Sequence, residues 1–438
     1  MYVVPTTEQL PALRPPTRAA AWPWIVAAAA FLTLVGAAGF RSVPGVLMDS
    51  LHAEFGWGRA TIGFAVSVNL LLFGAFAPFA AALMERFGVR RVAGFALLAI
   101  AIGSGAAIFV NQAWQLILLW GVLVGVGSGS IALSFAALLT GRWFLRRAGL
   151  ITGVLSAGSS TGQLVFLPIL SRLNEHVGWR PTTLTAGGAA LVAMIIALVG
   201  IRDRPSDVGS LPHGAAPGQV TPIEPSAQGS LQRAFSVLAR SARRPAFWLL
   251  AGGFAICGMS TNGLIQTHFV PAAHDHGMPP TTAAGLLAVV GIFDIVGTVA
   301  SGYFSDRVDA RLLLMIYYTL RGLSLFALPK LLGPTAEPTT WVFIVFYGLD
   351  WVATVPPTIA LCRRQFGADG PIAFGWVFAA HQVGAAVAAT GAGVIRDVTG
   401  DYELAWLLAG SLCIGAAVMS VMIGRTRTPQ RIAAYTTP

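Results

Sequence analysis

AALMERFGVRR (residues 81–91) and GYFSDRVDAR (residues 302–311) are two loops built on one plan. Each places an acid directly before an arginine, Glu85-Arg86 and Asp306-Arg307, and adds further basic residues, Arg90 and Arg91 in one and Arg311 in the other. Each is flanked on both sides by a long apolar segment. A polar loop that recurs at matching places in the two parts of a chain points to a duplicated helical unit. The composition around the loops says where such a unit sits. Only 11% of the 438 residues are charged, against about 25% in soluble proteins, and mean hydropathy is +0.71. The chain therefore crosses a membrane many times.

Apolar segments of about 20 residues, enough to span a bilayer, number twelve between residues 24 and 424. We number them helices 1 to 12. A single long polar stretch, rich in Pro, Gly, Ser and Arg, divides them six and six. The expected organisation is a tail at 1–22, a first six-helix half at 23–201, a linker at 202–244, a second half at 245–424 and a tail at 425–438. Placing both tails and the linker in the cytoplasm puts most of the 28 lysines and arginines on that side, as the positive-inside rule requires. The net charge of +10 is then a matter of topology and calls for no nucleic-acid partner. Within the linker, Leu231 to Arg244 has the makings of a short basic interfacial helix.

The two acid-Arg loops resemble the signature of the major facilitator superfamily: a Gly, an acid and Arg four and five residues later, then a Gly and basic residues. Here Ala81 and Glu85 stand for the Gly and Asp of the first copy, and Asp309 stands for the later Gly of the second. The resemblance covers nearly the whole chain. It implies an all-α membrane protein of twelve helices in two six-helix halves, both termini cytoplasmic, in which Glu85, Arg86, Asp306 and Arg307 hold helix ends together and part as the halves rock. The start of helix 5, Phe144 to Gly158 with Arg146, Arg147, Gly149 and Gly153, looks like the monocarboxylate transporter signature. The loop from Glu54 to Ala60 and the run Phe374 to Gly384 resemble bacterial relatives of that group and of oxalate/formate antiporters. Two departures leave the solute open. Asp294 is followed one turn later by Thr298, where the monocarboxylate group has Arg, and the cations of the oxalate type are replaced by Asp294 and His381.

Four charged side chains fall well inside helices: Arg41, Asp294, Arg321 and Asp350. A charge at a helix centre costs about 2.5 to 3.5 kcal/mol on insertion scales, so such residues face the bundle interior or a wet cavity. Arg41, among Gly39, Pro44 and Gly45 that loosen the helix, could grip a carboxylate through paired hydrogen bonds. Arg321 and Asp350 fall at similar depths and could pair, as a site or as a structural link. Asp294 and Asp350 are the candidate proton carriers, since alternating exposure changes what surrounds them. Among neutral polar residues at depth, Asn69, Gln163, Asn262, His381 and Gln382 are candidate solute contacts, with His381 able to donate to an anion or relay a proton.

These features describe a secondary transporter of a small organic anion, with a proton or counter-anion as co-substrate, multi-pass in a bacterial inner membrane and acting as a monomer among lipids. A neutral or cationic solute remains the alternative. An enzyme or ATP-driven pump is not expected. A phosphate loop needs Gly-Lys-Ser/Thr, and the one lysine, Lys330, precedes Leu331. No cofactor or metal is expected either, because the adjacent His274, Asp275 and His276 cannot converge on one ion. Three cysteines, Cys257, Cys362 and Cys413, imply no structural disulfide.

Overall fold

The computed structural model describes residues 17–57, 59–131, 133–215 and 229–424. Among these residues every named element is a helix and there is no named strand. Helix 1 runs Thr17–Phe55. Helix 2 is two pieces, Arg59–Ala75 and Ala77–Phe87, bent by 51°. Helices 3 to 6 are Val89–Ala106, Ala113–Trp143, Ala148–Val177 and Trp179–Gly200. Helix 7 spans Pro245–Asp275, helix 8 Pro280–Ser305 and helix 9 Ala310–Leu331. Helix 10 is again broken, into Pro338–Asp350 and Val355–Phe366, before helix 11 at Gly370–Thr399 and helix 12 at Glu403–Met422. Helices 10 and 11 form one apolar run of 62 residues. At about 1.5 Å per residue that is three bilayer cores long. It must therefore turn, and it does so at Gly367, whose φ of 58° suits a residue with no side chain.

Burial follows lipid rather than water. Phe95, Val192 and Val398 stand bare on the outside, where acyl chains cover them. One buried cluster runs from Val26 to Ile201 within helices 1 to 6, and another gathers residues of helices 7 to 12 around Phe269, Tyr347 and Trp406. A third takes Phe73, Ala77 and Ala137 of the first six helices together with Phe254, Phe374 and Phe378 of the last six.

Helix 1 stays helical through Gly39, Pro44 and Gly45, where the sequence led us to expect a loosened backbone. The breaks occur elsewhere. Helix 7 opens into a wide π turn over Met259–Ile265. Helix 10 breaks just before Pro356 and Pro357, which are the second and third residues of its second piece. Two adjacent prolines withdraw the two N–H donors that the carbonyls of Val352 and Ala353 would meet in an unbroken helix, and the Val352 carbonyl accepts from the Val355 N–H at 2.9 Å instead. Ser301 on helix 8 fills the other, donating to the Ala353 carbonyl at 2.5 Å.

The polar linker begins after helix 6 and ends in a short helix, Ser230–Ala242, before helix 7, and it marks one side of the bundle. We call it the linker side. There the two halves meet closely. Gly149 and Gly153 of helix 5 lie against Gly302 of helix 8, so that a Cβ on Gly302 would stand 2.5 Å from the Gly149 carbonyl oxygen. Asp306, at the end of helix 8, accepts from the backbone N–H groups of Gly149 and Leu150 at 2.7 and 3.0 Å, capping helix 5 from across the molecule. Arg363 of helix 10 donates to the Ala137 carbonyl and the Thr140 hydroxyl of helix 4. In the following loop Asp309 caps helix 9 through the Arg311 N–H, and the Arg311 side chain holds its carboxyl below the usual carboxylate range. Replacing Gly302 by leucine should force helices 5 and 8 apart on this side. The expected result is a monodisperse protein whose transport in proteoliposomes falls at least about fivefold, as overpacking of one or more kcal/mol implies; unaltered transport would mean the contact is not used.

Candidate functional site

Between the halves lies a cavity of about 700 Å³, walled by helices 1, 2, 4 and 5 on one side and 7, 8, 10 and 11 on the other. Its walls reach up to Ser171 of helix 5 and Ala284 of helix 8, near the ends away from the linker. The glycine contact, Asp306 and Arg363 close the other side. The cavity thus opens away from the linker.

Its floor is Asp294, 1% exposed. The Oδ2 atom accepts from the Ser160 hydroxyl of helix 5 at 2.5 Å, and Oδ1 accepts from Thr298 at 2.8 Å and from the Val352 backbone N–H at 2.9 Å. The carboxylate therefore ties three elements: the other half through Ser160, its own helix through Thr298, and the break in helix 10 through Val352. Thr298, which stands one turn after Asp294, serves it as a hydrogen-bond donor rather than a counter-charge.

Beside this floor, Arg321 is fully buried. Its Nε meets Asp350 Oδ2 at 2.6 Å, Nη2 donates to the carbonyls of Asp350 and Trp351 at 2.5 and 3.2 Å, and Nη1 points at Cys257 Sγ at 3.1 Å. All five of its N–H donors find an acceptor, four at the broken turn of helix 10 and the thiol and the fifth, on Nη1, at Ser260 Oγ at 3.4 Å, as burial of a guanidinium demands. The pair inferred from depth is present, and it lies behind the cavity wall: neither Arg321 nor Asp350 is among the lining residues.

Of the neutral candidates, Gln163, Asn262, His381 and Gln382 line the cavity, as does Gln266. His381 lies on the aromatic side of the wall, with its ring 4.8 Å from that of Phe254 and 5.8 Å from that of Phe378, and its Nδ1 meets no hydrogen-bond partner among the described residues. Asn69 is placed elsewhere, donating to the Trp120 carbonyl at 2.7 Å and so joining helix 2 to helix 4. The Arg41 side chain lies outside the described residues. Its position on helix 1 follows Leu34, Ala37 and Ala38, all cavity-lining, at spacings of seven, four and three, which is one helical face.

Among the loop residues, Glu85 pairs with Arg233 of the linker helix at 3.1 Å and Asp306 caps helix 5. Arg86 lies over Phe87, and Arg307 lies over Tyr303 and donates to its carbonyl. Asp275 pairs with Arg396 at 2.9 Å and His276 turns to the Ala272 carbonyl, so that cluster is occupied in joining helix ends.

Two groups of lining residues escaped the sequence reading. Ser156, Ser159 and Ser160 join the expected Gln163 in a polar stripe along helix 5 at the three- and four-residue spacing of one face, a signal that was there to be read. Cys257 lines the wall through a thiol shared with Arg321 and Thr354, and no spacing in the sequence announces that.

The family model described as Major Facilitator Superfamily matches residues 27–370. Monocarboxylate transporter 13 of Bos taurus is 30% identical over 408 residues, covering 91% of this chain and 88% of that protein. An MFS-type transporter of Bacillus subtilis, YcxA, is 26% identical over 411 residues, covering 91% of this chain and 94% of its own length. Among solved structures, the proton:xylose symporter XylE superposes with a TM-score of 0.70 at 13% identity, over 92% of this chain and 96% of that one. The Escherichia coli fucose:proton symporter FucP gives 0.68 at 13%, over 92% and 100%.

The burial of Arg321 makes its role testable. Asp350→Asn should destabilise the protein by about 3–5 kcal/mol, because it strands a buried guanidinium, and replacing both residues with Met and Leu should restore much of the thermal stability in detergent. A singly substituted protein with unchanged stability and abolished solute binding would instead make Arg321 a solute ligand.

Proposed function

The chain belongs to the Major Facilitator Superfamily, and from that premise we propose that it carries a small organic anion of the monocarboxylate kind by alternating access, coupled to a proton or to exchange for another anion. The observation that carries the reading is the floor of the cavity. A single carboxylate there, Asp294, is hydrogen-bonded across the two halves through Ser160. A group that gains or loses a proton at the junction between two moving bodies can couple proton movement to their motion.

For the solute, Arg41 is the anchor. The phase of helix 1 supports it, since position 41 continues the face that already lines the cavity and lies about 10 Å nearer the mouth than Leu34 at 1.5 Å per residue. Gln163, Asn262, Gln382 and His381 supply donors around the remainder of the solute. Relatives named as monocarboxylate transporters support the same class. One observation favours a neutral or cationic solute: among the described lining residues Asp294 is the charged one, surrounded by hydroxyls and amides.

Both termini and the linker are assigned to the cytoplasm, and the distribution of arginines supports this. The cavity then faces the outside. The resemblance to a Bacillus subtilis transporter supports a bacterial inner membrane, and the protein is taken to work as a monomer. The halves are taken to divide at the linker, with Glu85, Arg86, Asp306 and Arg307 as the loops whose contacts change.

Uptake of labelled lactate, pyruvate, oxalate and formate into proteoliposomes, with and without an inward proton gradient, tests the reading. Wild-type protein should accumulate at least one of these when driven by the gradient. Arg41→Gln should raise the KM at least about tenfold, the size of a lost charge-assisted contact. Asp294→Asn should abolish gradient-driven uptake while leaving solute binding. Stimulation by internal anion without a gradient would identify exchange, and a folded protein that takes up none of the four would refute the anion reading.

A further inference from the structure

We propose that the linker helix is a working part of the linker-side gate, and that Arg233 on it holds the two halves together by bridging an acid from each. The two copies of the repeated loop are not used in the same way. In the second copy Asp306 reaches straight across and caps helix 5. In the first copy Glu85 meets Arg233 instead. Arg233 Nε stands 3.1 Å from Glu85 Oε2, and its Nη1 stands 2.8 Å from Asp369 Oδ1 in the turn before helix 11. One guanidinium thus joins an acid of helix 2 to an acid of the second half. Arg240, two turns further along the linker helix, adds a second contact to Asp369 at 2.8 Å.

Beneath these charges the helix is seated on the seam itself. Ala234 and Val237 are fully buried in a cluster with Ala81 and Ala82 of helix 2 and Ile372 and Ala373 of helix 11. Trp376 of helix 11 donates its indole N–H to the Ala234 carbonyl at 3.2 Å, and the Phe235 ring lies 5.5 Å from Phe79 and 5.8 Å from Trp376. The arrangement is a helix laid over the join between helices 2 and 11, with apolar residues below and a two-armed arginine at its edge.

Opening on the linker side must part the ends of helices 2 and 11. The Arg233, Glu85 and Asp369 side chains are only 13%, 15% and 23% exposed, so these are sheltered bonds rather than screened surface pairs. Parting the helices breaks one arm and leaves a half-buried charge short of a partner. The seating of the linker helix therefore biases the balance between the two open forms, from outside both six-helix units. The inference depends on the halves rocking, as proposed above, and is independent of what the solute is.

Distances between spin labels at the exposed Arg91 and Arg364, one in each half on the linker side, read this balance directly in detergent or nanodiscs without any solute. Wild type should show mainly the short distance. Arg233→Ala and Asp369→Asn should each raise the ratio of long to short by about tenfold, the effect of losing one charge-assisted hydrogen bond, and Arg233→Lys should restore most of the wild-type ratio. A long-distance population present in wild type and unchanged in both variants would overturn the gate while leaving rocking intact. A long-distance population absent from every protein would overturn the gate and the rocking together. Should Arg233→Ala prove unfolded, Asp369→Asn, which leaves the helix and its apolar seat in place, decides between the same outcomes.

Discussion

The break in helix 10 is the constraint around which the centre of this protein is organised. Pro356 and Pro357 remove two backbone donors at membrane depth, where lipid offers no hydrogen bond to replace them. The groups freed by the break at Trp351–Thr354 are taken up by side chains from neighbouring helices. Ser301 takes the Ala353 carbonyl, Arg321 takes those of Asp350 and Trp351, and Asp294 takes the Val352 N–H. Two of these three side chains are charged, and each is positioned by the backbone as much as by another charge. This explains why Arg321 and Asp294 can be buried in lipid close together without forming a simple pair. Removing the prolines would restore the helix and leave both charges without their backbone partners.

A second dependence runs along helix 8. Asp294 sits at the cavity floor, Gly302 makes the close backbone contact with helix 5, and Asp306 caps the start of helix 5. All three face the same helix of the other half, over twelve residues or about 18 Å. The floor of the site and the closure of the linker side are therefore two ends of one contact between rigid elements. The seam between helices 2 and 11 adds to a glycine contact of its own, Gly375 against Pro78, the aromatic packing of Phe73 on Phe378 and the cover of the linker helix.

The twelve spans were legible because apolar length, arginine-bearing loops and the repeated acid-Arg motif all mark the same boundaries, each for an independent physical reason. Depth alone also revealed Arg321 and Asp350 as partners. What depth could not reveal was which side of the helix they face, and that depends on the break at residues 351–354, itself displaced by a turn from the prolines that cause it. Asn69 illustrates the same limit: a polar residue at mid-membrane depth can as readily close a carbonyl on the next helix as line a cavity. The helix 5 stripe was legible from its spacing. The π turn in helix 7, which carries Asn262 into the wall, was not, since it arises where helix 7 presses on helix 11, with Gly258 and Gly263 against the carbonyls of His381 and Ala385.

The link between Ser160 and Asp294 has a thermodynamic consequence independent of the solute. It is a hydrogen bond between the two bodies, made to a group that can hold a proton. If rocking lengthens it, the proton affinity of Asp294 differs between the two open forms, because the set of donors around the carboxylate differs. Linkage is reciprocal, so a proton on Asp294 must then shift the balance of open forms by the same factor. Coupling of this kind requires no long pathway through the protein. In the rocking motion proposed above it would rest on one carboxylate shared between the two halves, with the neighbouring Arg321 tied down by the broken turn of helix 10.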